Sequence, residues 1–154
     1  MDTHALHHYP HSGALGRWLG VGFLSGAVAV LAFHQGALAL LHVFQLSPRA
    51  PYSFAPTLPF GVPELWSLAF WGGVWGVVLA AAFARLDGAR LVLASLLFGL
   101  LLPTLIAWFA VAPLKGQPLA AGGAPLGMMA GLVVNAAWGF GAGLGLALFG
   151  RSHG

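Results

Sequence analysis

The stretch FHQGALALLH, Phe33 to His42, places two imidazoles and an amide inside an otherwise lipid-soluble run. Imidazole titrates near neutral pH and can carry a proton or ligate a metal, so an intramembrane histidine raises the question of function at once. With the first apolar helix running outward, His34 falls roughly 5 Å beyond its midpoint and His42 close to the outer interface. Asn135 on the last apolar run and Thr104 on the third fall in the same outer layer as His34. An unpaired polar group in hydrocarbon is costly, so His34, Gln35, Thr104 and Asn135 are expected to face one another across the bundle. Pro103 adds to that layer, because a proline nitrogen cannot bond the carbonyl of Gly99. Such a layer acts either as an interhelical hydrogen-bond clasp or as a small proton-responsive pocket around His34. Glu64, which opens the second run, is the expected partner of His42 at the outer interface.

The N-terminal HALHHYPH holds a second constellation. His4, His7, His8 and His11 follow helical spacing and could together hold zinc, nickel or copper, although Pro10 opposes a continuous helix and a terminal tail is the simpler reading. Elsewhere the chemistry thins out. The chain has no cysteine, so it has neither a thiolate site nor a thiol nucleophile. His34 and His42 lie on one helix, about 12 Å apart along it, and cannot hold the two axial positions of one haem. No Ser-His-Asp set, HExxH motif or carboxylate pair is present, so no enzyme activity and no cofactor is expected. Six Lys and Arg against three acids are too sparse for nucleic acid.

These side chains must be positioned by membrane-spanning helices. Of 154 residues, 59% are hydrophobic and 6% charged, where soluble domains are about a quarter charged. Four apolar runs, about Trp18 to Phe44, Glu64 to Ala84, Leu91 to Ala112 and Pro125 to Phe149, each approach the ~20 residues a helix needs to span the hydrocarbon core. The first run is too long for a signal peptide and is kept as a span. The expectation is an all-α polytopic membrane protein: a four-transmembrane-helix bundle over residues 18–150, with tails at 1–17 and 151–154. Arg17, Arg85, Arg90 and Arg151 fall on one side and Arg49 and Lys115 on the other, which predicts both termini in the cytoplasm.

Pro59, Gly61, Gly73, Phe83 and Arg85 recur with the same spacing as Pro125, Gly127, Gly139, Phe149 and Arg151, suggesting two tandem helical hairpins. Gly22 and Gly26, Gly72 and Gly76, Gly127 and Gly131, and Gly139 and Gly143 give the GxxxG spacing that lets helices approach closely, within one chain or between two copies. Trp71 and Trp75 are expected to pack or to anchor at the interface. The first outer loop, QLSPRAPYSFAPTLPFGVP, combines five prolines with Tyr52, Phe54 and Phe60. Those rings predict a loop folded over the outer mouth of the bundle or lying at the interface.

FHQG, APTLPFGVP and SLAFWGGVWG, carried by Phe33, His34, Gln35, Gly36, Pro59, Gly61, Pro63, Trp71, Gly72, Gly73 and Gly76, make the chain resemble small four-span inner-membrane proteins of Gram-negative bacteria. The resemblance implies location and architecture and assigns no reaction. The expected role is a scaffold or accessory subunit in the bilayer, as a homo-oligomer or within a larger membrane complex. The alternative is an oligomeric transporter or channel with a polar site around His34, and an intramembrane enzyme ranks last.

Overall fold

A computed structural model describes residues 11–150. Among these residues, four helices are long and apolar enough to cross a membrane. The first, α1 (residues 11–43), runs through His11–Ala29, a π turn at Val30–His34 and Gln35–Val43 without a break. A two-stranded hairpin follows, β1 (Pro56–Thr57) antiparallel to β2 (Val62–Pro63). Then come α2 (Glu64–Ala82), α3 (Gly88–Leu114, with a second π turn at Ala107–Val111) and α4 (Pro125–Phe149). The all-α, four-helix expectation holds. α2, at 19 residues, is about 28 Å long and matches the hydrocarbon core, whereas the longer α1 outruns it. α1 begins several residues before Trp18, where the apolar run itself begins.

Small residues decide which helices meet. Gly22 and Gly26 of α1 lie against Gly72 and Gly76 of α2 so closely that a side chain at Gly26 would strike the Gly72 carbonyl. In the same way Ser95 and Gly99 of α3 lie against Asn135, Gly139 and Gly143 of α4. Two helical hairpins, α1–α2 and α3–α4, are thus each closed by a small-residue seam. Gly26 on Gly72 and Gly76 is the counterpart of Gly99 on Asn135 and Gly139. Packing therefore equates Gly76 with Gly139, nearly a turn from the sequence echo that equated Gly73 with Gly139. The GxxxG faces of α1, α2 and the second half of α4 are consumed within the chain.

The hairpins join through α1 and α4, where Phe33 rests on Gly141 and Ser25 on Gly145. By contrast α2 and α3, although consecutive, hardly touch along their backbones. Large rings fill that seam: Phe98 stands edge-on to Trp75 and to Phe83, each at 5.9 Å between centroids, and leans on Trp138 at 6.5 Å. The core of Leu79, Leu91, Ala142 and Leu146 lies inside this ring of helices.

Two indoles lock the pairing. Trp18 donates from Nε1 to the carbonyl of Ala80 at 2.7 Å, and Trp138 donates to that of Gly26 at 2.9 Å. A tryptophan buried in an apolar interior needs a partner for its one N–H, and a helix carbonyl on a neighbour supplies it.

Candidate functional site

The four polar groups expected in one layer separate into two. Asn135 donates from Nδ2 to the Thr104 hydroxyl at 2.9 Å, joining α4 to α3. That hydroxyl in turn reaches the carbonyl of Gly99 at 3.5 Å, the carbonyl that Pro103 leaves without its usual amide donor. Amide, hydroxyl and carbonyl thus form one relay inside the α3–α4 hairpin. Neither His34 nor Gln35 takes part in it.

His34 and Gln35 instead belong to α1 and the loop above it. His34 closes the π turn, and its Nδ1 meets Gln35 Nε2 at 3.5 Å, the long limit of a hydrogen bond. Gln35 is only 2% exposed. Its Oε1 accepts the backbone N–H of Tyr52 at 2.7 Å, and the Tyr52 hydroxyl donates to the carbonyl of Leu31 at 3.1 Å. A π turn loosens the regular carbonyl-to-amide ladder, so the loop tyrosine bonds a carbonyl within that wide turn. Tyr52 itself sits at φ +54, a left-handed conformation uncommon for a residue with a side chain. Its two hydrogen bonds to α1 oppose that local cost.

The His42–Glu64 pair is corrected by the structure. Glu64 is held by Arg49 at 2.5 Å, while His42 Nδ1 lies 3.2 Å from the carbonyl of Ser47. A guanidinium carries a permanent charge and a fork of donors toward a carboxylate, which an imidazole cannot match. Meanwhile the turn after α1 brings the Ser47 carbonyl back to His42. That turn has Gln45 at φ +58, with Leu46 N–H bonded to Leu41 and Gln45 N–H to His42, the Schellman arrangement that satisfies the last carbonyls of a helix.

The loop also starts α2. Glu64 and Leu65 donate their N–H groups to the carbonyls of Ala55 and Ser53 at 2.9 and 3.0 Å, satisfying donors that a helix start leaves open. Glu64 places negative charge at the same helix end, where the backbone dipole favours it. The strap from Arg49 to Glu64 is therefore bonded at both ends and at its middle.

No family model, curated protein or solved structure matches this chain. Its role must come from its own geometry. Of the N-terminal histidines, His4, His7 and His8 lie outside the described residues, as does the side chain of His11. Among the described residues no group of three metal-capable side chains converges, and every buried side-chain nitrogen or oxygen has a partner.

Sequence reasoning missed Arg49 as the partner of Glu64 and Tyr52 as the clasp on α1. The loop's aromatic content pointed to a fold-back, but the particular bonds depend on a backbone turn and a π turn that no spacing rule marks. It also left Trp18 and Trp138 without a role.

Proposed function

We propose that this chain is an integral scaffold or accessory subunit of a bacterial inner membrane, with both termini in the cytoplasm and no catalytic activity of its own. One observation carries the reading: Gln35, Thr104 and Asn135, polar side chains of three different parts of the bundle, are engaged in internal structure. Thr104 and Asn135 bind each other, and Gln35 binds the loop. Glycine seams and aromatic rings support it by filling the space between helices, which leaves the lipid-facing surfaces as the place for partners. Isolation of the tagged chain in mild detergent, after cross-linking in intact cells, tests the proposal. The expected result is a heteromeric membrane partner in fixed stoichiometry. A homo-oligomer with no second component, active in solute flux after reconstitution, overturns it.

One observation favours the transporter reading as the alternative. The His34 ring has one hydrogen-bond partner, Gln35 at 3.5 Å, so its imidazole is the most weakly held of the four polar groups His34, Gln35, Thr104 and Asn135. In that reading His34→Leu abolishes flux in proteoliposomes while the fold persists. Unchanged flux removes His34 from any transport path.

A further inference from the structure

The strap between α1 and α2 has two chemically different sides. Its inner side is the clasp of Tyr52 on Gln35 and Leu31. Its outer side ends in the hairpin tip Leu58-Pro59-Phe60, where Leu58 and Phe60 are 86% and 87% exposed. From Ala50 to Pro63 the sequence carries no charged residue. Two large apolar side chains at a turn, in an uncharged segment, are poorly suited to water.

We propose that the hairpin Pro56 to Pro63 is an interfacial anchor, with its tip immersed in the headgroup and upper acyl region of the leaflet at the loop end. Continuity identifies lipid as the occupant. β2 runs directly into α2, whose exposed Trp66 and Phe70 lie one turn apart on its outer surface. Phe54 of the strap stands edge-on to Trp66 at 6.3 Å. The tip, Phe54, Trp66 and Phe70 thus form one apolar surface descending from the loop into the spans. Aromatic residues concentrate at that depth because their rings suit the boundary between water and hydrocarbon.

The hairpin is also held in shape. Thr57 donates its hydroxyl to the carbonyl of Val62 at 2.7 Å, and Gly61 N–H bonds the Thr57 carbonyl at 2.7 Å. At the base stands the Arg49–Glu64 ion pair. A preformed hairpin loses little further conformational freedom on entering lipid. The loop between α3 and α4 has no equivalent: residues 115–124 include Lys115 and no aromatic ring. Only one of the two hairpins is anchored in this way.

The absence of cysteine makes site-directed spin labelling specific. Full-length chains carrying Phe60→Cys or Gln117→Cys, each labelled with the same nitroxide, are reconstituted in phosphatidylcholine vesicles. Neutral lipid suffices because the tip is uncharged. At position 60, collisions with oxygen are expected to exceed those with an aqueous nickel complex by roughly threefold or more, with the reverse ratio at 117. Adding Leu58→Ser to the position 60 chain is expected to raise nickel accessibility about twofold, as the tip loses half of its apolar pair. Equal nickel accessibility at 60 and 117 overturns the proposal. So does dipolar broadening at 60 that disappears on dilution with unlabelled chain, because a second copy would then cover the tip.

Discussion

At Thr104 one hydroxyl serves two helices, accepting from Asn135 and donating to the carbonyl beneath Pro103. Asn135→Leu and Thr104→Val are each expected to lower stability by about 1 kcal/mol, with the double variant costing less than the sum by roughly 0.5 to 1 kcal/mol. A double-mutant cycle from unfolding in bicelles measures that coupling. His34→Leu combined with Asn135→Leu is expected to be additive, since no bond joins them. Coupling between these two would restore the single layer expected from depth alone. At this scale the sequence disclosed which residues had to find partners, because lipid offers none. It did not disclose which partners, because position along a helix gives height and leaves lateral direction to packing.

Helix ends and close seams form the next scale. α1 ends in a Schellman turn with Gln45 at φ +58, and α3 ends in the same turn with Gly116 at φ +67. Gln117 N–H bonds Ala112 and Gly116 N–H bonds Pro113, as in the first turn. Left-handed backbone disfavours a β-carbon. Gln45→Gly is therefore expected to stabilise the protein by about 0.5 to 1 kcal/mol and Gly116→Ala to destabilise it by a similar amount. Thermal unfolding in detergent distinguishes the signs. At the α1–α2 seam Gly26→Leu forces backbones apart and displaces the carbonyl that Trp138 bonds. A loss of about 1 to 3 kcal/mol is expected in the same assay. Gly26→Leu with unchanged stability would mean that the seam is not closed at this residue.

Across the described residues, four spans place the start of α1, the end of α4 and the turn between α2 and α3 at one end and the two longer loops at the other. The excess of Arg17, Arg85, Arg90 and Arg151 over Arg49 and Lys115 predicts the first end in the cytoplasm. Reporter fusions at the C-terminus and after Asp87 are expected to read cytoplasm, and one after Lys115 the exterior. A C-terminus accessible from outside intact cells would reverse the assignment. The arrangement also explains why Arg49 does not stand free in the count: it is neutralised locally by Glu64.

The sequence by itself determined the solvent and the architecture. Four apolar stretches of bilayer length can satisfy their backbone only as helices, and three of the glycine pairs at four-residue spacing, Gly22 and Gly26, Gly72 and Gly76, and Gly139 and Gly143, marked where those helices come close. It also marked Pro103 as the origin of a free carbonyl, which Thr104 reaches. Tertiary structure decided the pairings. It took Glu64 from His42 and gave it to Arg49, and it divided the polar layer between an α3–α4 relay and an α1–loop clasp. It also shifted the match between the two hairpins by nearly a turn. Hydropathy and spacing report depth and face periodicity. Azimuth is set only when helices are rotated to bring their small residues into contact, and no spacing rule marks the left-handed turn at Gln45 or the π turn at Val30–His34.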